Sequence, residues 1–173
     1  MSTSIQIRVA GDQDAALIAR LSRQTFLETF APHNIKHDID IFMNEQFTVD
    51  TLIKEVSEVG FIFLIAFLNN KPVGYLGLKE GNNPAGLGNL KSMEIARLYT
   101  LQKVIGKGIG KALMEKCLEI AIQMNKEVIW LGVWEYNQRA IDFYVKWGFE
   151  KFSEHDFVLG HDIQTDWIMK KSL

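Results

Sequence analysis

The chain is poor in cysteine, proline and net charge. Of its 173 residues, one is cysteine and three are proline, and the formal net charge is −2 at pH 7. A single cysteine cannot form an internal disulfide, which is typical of proteins in a reducing cytoplasm, so we expect a cytoplasmic protein. A slightly acidic chain without a basic stripe argues against a nucleic-acid partner. The longest apolar run, 61–68, is too short to span a bilayer, and residues 1–20 lack a signal-peptide pattern, so we expect no membrane partner.

The length of the chain predicts one domain, residues 1–173. Strand patterns alternate with helical ones, and two hairpins interrupt the alternation, which predicts an α/β or α+β fold with mixed strand directions. One or two short helices are predicted in residues 36–58. A helix over 110–124 carries an apolar stripe that includes Cys117, so this thiol is predicted to pack in the core. The four histidines have no metal-ligand spacing, and we predict no metal site.

The most informative segment runs from Arg97 to Met114. An apolar and aromatic run leads into a turn with glycines at 106, 108 and 110, and an amphipathic helix follows. Glycines allow a tight turn and leave no Cβ between the backbone amides and a ligand. Because amides at a helix N-terminus carry partial positive charge, this turn is predicted to bind a phosphate group.

The glycine spacing excludes two familiar phosphate-binding motifs. A P-loop requires Ser or Thr after Gly-Lys, and here Ala112 follows Lys111. The dinucleotide fingerprint requires Gly-x-Gly-x-x-Gly, and its last position would be Lys111 or Leu113. The remaining pattern is Gly-x-Gly-x-Gly between a strand and a helix. Its alternative interpretation is a glycine-rich turn without a ligand.

A second cluster, residues 127–149, contains an apolar strand, a polar break and a short helix. Asn137 stands at the helix start, where its side chain can cap free amides, and Gly148 stands where a C-terminal glycine belongs. With the glycine turn, the pattern Asn-x-x-Ala-x-x-Phe-Tyr-x-x-x-Gly-Phe from Asn137 to Phe149 resembles the GNAT superfamily of N-acetyltransferases. The strings at 131–135 and 164–170 are similar to bacterial spermidine/spermine acetyltransferases of the PaiA type.

The resemblance implies the GNAT fold, a central mixed, mostly antiparallel sheet of about seven strands flanked by about four helices. The sheet should be splayed between strands 93–101 and 127–133, where the cleft holds acetyl-CoA. The family usually has Gln or Arg at the position of Ile105, so one polar contact is missing here. The positions implied to contact CoA are Leu98, Tyr99, Thr100, Ile105, Gly106, Lys107, Gly108, Ile109, Gly110, Lys111, Asn137 and Tyr144.

Acetyl transfer requires a deprotonated amine and a protonated thiolate leaving group. The resemblance makes Tyr144 the candidate general acid, since a phenol with a pKa near 10 is protonated at pH 7. The alternative is a core aromatic beside Phe143. Glu94 is the candidate base, and its alternative is an ion pair with Arg97. Because residues 94 and 97 of an unbroken strand lie on opposite faces, the pattern disfavours that pair.

Two further residues are candidates on the substrate side. Glu28, on the first helix, could bind a second ammonium of a polyamine, and its alternative is a solvated helix face. Trp134 closes a strand and could form a wall of the acceptor pocket.

The resemblance therefore predicts an N-acetyltransferase that moves an acetyl group from acetyl-CoA to a primary amine, by direct attack in a ternary complex. A small-molecule polyamine such as spermidine or spermine is the first candidate acceptor. The alternatives are a peptide N-terminus or lysine as acceptor, or a non-catalytic CoA-binding sensor. A groove open at both ends would favour a peptide, and a closed acidic pocket would favour a polyamine. Family resemblance also allows a homodimer.

Overall fold

The computed structural model describes residues 4–81 and 83–173, so residues 1–3 and 82 of the predicted domain lie outside the described residues. The seven strands of the described chain are β1 Ile5–Val9, β2 Phe61–Leu68, β3 Lys71–Lys79, β4 Ser92–Thr100, β5 Val128–Trp134, β6 Glu150–Leu159 and β7 Asp162–Ser172. Its α-helices are α1 Ala15–Phe30, α2 Lys36–Glu45, α3 Val49–Val56, α4 Ile109–Gln123 and α5 Gln138–Lys146. None of these helices combines the length and the apolar character needed to cross a membrane.

The strands form a single sheet in the order β1-β2-β3-β4-β5-β7-β6. Its pairs are antiparallel except for β4 and β5, which run parallel. Residues Ser92–Ile95 of β4 pair with Val128–Leu131 of β5, and beyond these residues the two strands separate. The predicted seven-stranded mixed sheet and its splay are confirmed.

Five α-helices flank the sheet, where the sequence predicted about four. The difference lies in residues 36–58, which form two helices because the chain turns at Thr48. The Thr48 hydroxyl accepts a hydrogen bond from the Thr51 N–H (3.2 Å), and this cap starts α3. Helix α4 packs against β1, β3 and β4, while α1 packs against β3, β4 and α3. Cys117 of α4 is fully buried, as its place on the apolar stripe predicted.

Strand β4 contains a bulge at Ala96. Its neighbour Ile95 is paired with Leu78 of β3, whereas Arg97 is paired with Gly77, so Ala96 has no partner across the β3–β4 ladder. A bulge of this kind breaks the alternation of side chains along the strand. The expectation of an unbroken strand was therefore wrong.

The bulge changes which side chains of β4 share a face. Glu94 is paired with Lys79 and Arg97 with Gly77, and residues 77 and 79 point to the same face of β3. Glu94 and Arg97 consequently lie on one face of the sheet, although simple alternation had separated them. No sequence signal indicates the bulge, since Ala96 is compatible with a regular strand.

Candidate active site

A cavity of about 600 Å³ opens where β4 and β5 separate. One side is formed by the glycine turn 105–111 and by the first residues of α5. The other side is formed by α1, α2 and the end of β6, and it is rich in aromatic rings. The gap between the two strands thus connects the turn to an aromatic chamber. The aromatic residues of that chamber are Phe26, Phe30, Phe42, Phe47, Tyr99, Trp134 and Phe157.

The glycine turn presents free backbone amides. Gly106 and Gly108 have φ angles of 81° and 83°, a left-handed conformation that favours glycine. The first backbone hydrogen bond of α4 runs from the Ala112 N–H to the Gly108 carbonyl (3.0 Å). Among the described residues, the N–H groups of 109–111 therefore have no backbone acceptor, as expected for a first helical turn. They carry the positive end of the helix dipole and fit the pyrophosphate of CoA.

Helix α5 begins directly beside this turn. A Cβ on Gly110 would lie 3.6 Å from the Phe143 ring, which shows how closely the two helices approach. Asn137 caps α5, because its Oδ1 accepts a hydrogen bond from the Ala140 N–H (3.3 Å). All positions predicted to contact CoA line the cavity except Lys107. The aliphatic Ile105 is among them, so the turn contributes backbone groups rather than a polar side chain there.

Tyr144 lies on α5, where it is both a core aromatic beside Phe143 and a residue of the cavity wall. Its ring packs against Phe143 and Phe149, with ring centroids 5.5 and 5.7 Å away, and the residue is only 7% exposed. It also lines the cavity, and its hydroxyl forms no hydrogen bond with the described protein atoms. Burial raises the pKa of this phenol, so it stays protonated at neutral pH.

The structure does not bring Glu94 or Glu28 to the cavity lining. Glu94 is partly buried, which raises its pKa, and its charged neighbours are Lys79, His155 and Arg97. Glu28 faces another group: its Oε2 accepts a hydrogen bond from the backbone N–H of Gln102 (2.7 Å). This contact holds α1 to the chain just before the glycine turn, a position that neither interpretation of the sequence anticipated.

Arg97 does form an ion pair, but its partner is Glu55 of α3. The two guanidinium nitrogens bind the two carboxylate oxygens, the second pair at 3.0 Å. The side chains are 18% and 23% exposed, so the pair is largely withdrawn from water. The guanidinium also lies over the Phe47 ring, 5.1 Å from its centroid, in a cation–π contact. Arg97 therefore lines the cavity, and Glu55 compensates its charge.

The predicted wall residue Trp134 does line the cavity, and its ring packs against Phe30 with centroids 5.9 Å apart. Apart from Tyr99, which was predicted to contact CoA, sequence analysis missed the rest of the aromatic chamber. Phe26 and Phe30 stand four residues apart on α1, a spacing that indicates a buried stripe without telling whether the stripe meets core or cavity. Phe157 lies on the distant strand β6, so only the tertiary fold places it here.

Asp166 of β7 was also missed, although it lines the cavity. Its side chain is 18% exposed, and burial raises the pKa of the carboxyl group. The Nε2 of His155 lies 3.7 Å from its Oδ2. A signal was present, because Gln164 and Asp166 share one face of the strand with Ile168, and two polar side chains are unexpected on a face that packs inward.

The fold and the glycine turn define an acyltransferase of the CoA-binding class, and comparison with known proteins supports this. Residues 20–149 match the model of the acetyltransferase (GNAT) family. The chain therefore belongs to the GNAT family and is an acetyl-CoA-dependent N-acetyltransferase, which confirms the predicted family, enzyme class and cosubstrate.

Three relatives show how far the likeness extends. An N-acetyltransferase of Lactobacillus delbrueckii subsp. lactis is 34% identical over 171 residues, covering 99% of each chain. A spermidine N(1)-acetyltransferase of Thermoplasma acidophilum is 26% identical over 162 residues, covering 90% of this chain and 96% of the relative. The crystal structure of a PaiA N-acetyltransferase from the same organism, in complex with coenzyme A, superimposes with a TM-score of 0.79 at 25% identity and covers 98% of this chain and 99% of that one.

Proposed function

We propose that this N-acetyltransferase transfers the acetyl group of acetyl-CoA to a small primary amine, by direct attack in a ternary complex, and that a polyamine is the first acceptor to test. The observation that carries this proposal is the continuous cavity between the glycine turn and the aromatic chamber. A route through the sheet lets two substrates meet without a covalent enzyme intermediate. The likeness to a spermidine N(1)-acetyltransferase and to PaiA supports the choice of polyamines.

The backbone of the chain is proposed to hold the cosubstrate. The free amides of residues 109–111 bind the pyrophosphate, and Asn137 and Lys111 stand beside them. Because β5 leaves β4 after Ile95, the backbone groups of β4 between residues 96 and 100 are open toward the gap. They can pair with the pantetheine arm, and one N–H can polarise the thioester carbonyl. Acetyl-CoA supplies the activated acetyl group.

Tyr144 is proposed to protonate the departing thiolate. Its hydroxyl has no hydrogen-bond partner among the described protein atoms and its ring is fixed by Phe143 and Phe149, so the proton donor is held in place at the cavity wall. Glu94 remains a predicted base. Because its carboxylate does not line the cavity, a proton from the amine would reach it through an intervening water, and its raised pKa suits a proton acceptor.

The test is the release of free CoA from acetyl-CoA with spermidine, spermine, small amino acids and a lysine peptide. We expect turnover with the polyamines and little with the peptide. The variant Tyr144→Phe should lower kcat by about 10²- to 10⁴-fold, the usual contribution of a general acid, with acetyl-CoA binding unchanged. Tyr136→Phe is the matched control, since Tyr136 is 74% exposed and outside the cavity lining.

Three outcomes would contradict parts of the proposal. Turnover with the lysine peptide and with none of the small amines would indicate a protein or peptide acceptor. Tight CoA binding without turnover on any amine would favour a sensor. A Tyr144→Phe variant with unchanged kcat would remove the proposed acid.

A further inference from the structure

The acceptor side of the cavity contains a single acidic side chain among the described residues that line it, Asp166. This residue lies on β7, paired with Trp134 at the end of β5, next to the point where the sheet opens. The acceptor side of the cavity is rich in aromatic rings, and the Asp166 side chain is only 18% exposed. A carboxylate in such an environment is costly unless a cation or strong hydrogen bonds compensate it.

The protein provides few groups that compensate the negative charge of the Asp166 carboxylate. Among the described residues its ion-pair partner is His155, whose Nε2 lies 3.7 Å away and whose side chain is 54% exposed. Asp14 shows what a compensated aspartate looks like in the same fold. Its carboxylate accepts two hydrogen bonds from Arg8 (2.7 Å each) and one from the Gly11 N–H (2.9 Å). No comparable set of donors surrounds Asp166 in the described part of the chain, which leaves it available to a cationic ligand.

The surroundings of Asp166 leave space for that ligand. Gly132 of β5 lies beside it, and a Cβ at this glycine would be 3.6 Å from the Asp166 Oδ2 and 3.8 Å from the His155 Nε2. Gly132 itself is exposed and lines the cavity, so the floor beside the carboxylate carries no side chain. Trp134, paired with Asp166 across the two strands, offers an aromatic face, to which cations are attracted.

Asp166 lines the same cavity as Tyr144, the proposed acid, and it is paired with Trp134 beyond the point where β4 and β5 stop pairing. Burial raises the pKa of Asp166 and the imidazole of His155 lowers it, so a bound cation would keep the carboxylate ionised.

We propose that Asp166 binds the reacting ammonium group of the acceptor, which then gives its proton through water to the proposed base Glu94 before the amine attacks, while the aromatic chamber takes the arm of the molecule. This assignment rests on the proposed amine acetylation and deepens it. Arg97 also lines the cavity, but Glu55 compensates its charge, and aromatic rings attract cations, so the chamber can take the arm of a polyamine.

The experiment compares Asp166→Asn with Asp156→Asn. Asp156 is an exposed aspartate on the same hairpin and lies outside the cavity lining, which makes it a matched control. Two amines are used, spermidine and phenethylamine, because they share a primary ammonium but differ in the arm. We expect Asp166→Asn to raise the KM of both amines by about 10- to 100-fold, the range of a hydrogen bond to a charged group. The KM for acetyl-CoA should stay within about twofold, and Asp156→Asn should change neither value.

Calorimetric titration of each amine into the CoA complex separates this inference from the proposed function. Wild-type protein that binds the amines without acetylating them would contradict the function, while weaker binding by Asp166→Asn would still support the assignment of Asp166. Equal affinity of wild type and Asp166→Asn for both amines would overturn it. A loss confined to spermidine would also overturn it, because Asp166 would then bind a second ammonium and not the shared one.

A second variant tests the same assignment if Asp166→Asn fails to fold. Gly132→Ala leaves the carboxylate intact but places a methyl group in the space beside it, at ordinary contact distance from the neighbouring atoms. It should raise the KM of both amines and leave acetyl-CoA binding unchanged. Unchanged amine KM values in this variant would show that the ammonium does not bind beside Asp166.

Discussion

The turn between β6 and β7 supports α2 through an unusually close backbone contact, and this contact can be tested. Gly160 has a φ of +62°, and a Cβ there would lie 2.6 Å from the Cα and 2.7 Å from the carbonyl oxygen of Asp38. The same Asp38 accepts a hydrogen bond from the His161 N–H through its Oδ1 (2.9 Å). Since α2 carries Phe42 of the aromatic chamber, Gly160→Ala must push a wall of the cavity away from the turn.

The expected cost of Gly160→Ala has two parts. A left-handed conformation costs an L-residue about 1–2 kcal/mol, and overpacking against fixed backbone adds about 1–3 kcal/mol. We therefore expect the free energy of unfolding to fall by about 2–5 kcal/mol. Gly88→Ala is the matched control, because Gly88 has a φ of +56° and a Cβ added to it would meet no heavy atom within 4 Å. It should lose only the conformational part, about 1–2 kcal/mol.

Urea unfolding of both variants measures this difference, and steady-state kinetics measures its effect on the cavity. The amine KM should rise in Gly160→Ala, since the wall formed by α2 has moved, whereas the acetyl-CoA KM should not. An equal loss of stability in the two variants would refute the reasoning, because the contact with Asp38 would then cost nothing. An unchanged amine KM would show that α2 does not shape the acceptor site.

Two further predictions concern ion pairs. Glu55→Gln leaves the guanidinium of Arg97 without its carboxylate partner. Because the pair is largely withdrawn from water, we expect the free energy of unfolding, measured in urea, to fall by about 2 kcal/mol. A fall below about 0.5 kcal/mol, which is typical of surface pairs, would contradict this. The hydrogen bonds from Arg8 lower the pKa of Asp14 to about 2, so its contribution is complete above the unfolded pKa of about 3.9 and is lost as the pH falls through about 2. The urea midpoint of the wild type should therefore fall more steeply from about pH 5 to about pH 2.5 than that of Asp14→Asn, and parallel curves would refute the assignment.

The two sides of the active site differ in how far the sequence predicted them. The cofactor side depends on local backbone geometry, which leaves a direct pattern: two left-handed glycines, a helix start and the Asn137 cap. These features need only their near neighbours in sequence. The family resemblance and the spacing therefore predicted most of the residues that line this side, although not Arg139.

The acceptor side depends on contacts between distant parts of the chain. Phe157 and Phe42 meet with ring centroids 5.7 Å apart although they are far apart in sequence. The pairing of Arg97 with Glu55, and the hydrogen bond from the Gln102 N–H to Glu28, likewise join separate elements. No periodicity encodes such partners, so the position of the glutamates on their strand and helix could not show which groups they would meet.

The bulge at Ala96 lies between these two sides, and in the proposed function it lets one strand contact both substrates. Before the bulge, β4 is paired on both edges and is part of the rigid sheet. After it, the edge of β4 toward β5 is unpaired, while Arg97 and Tyr99 line the cavity. In the proposed function acetyl-CoA meets the backbone of β4 and the acceptor meets side chains of the aromatic chamber, so substitutions in the chamber should change the choice of amine without disturbing acetyl-CoA binding.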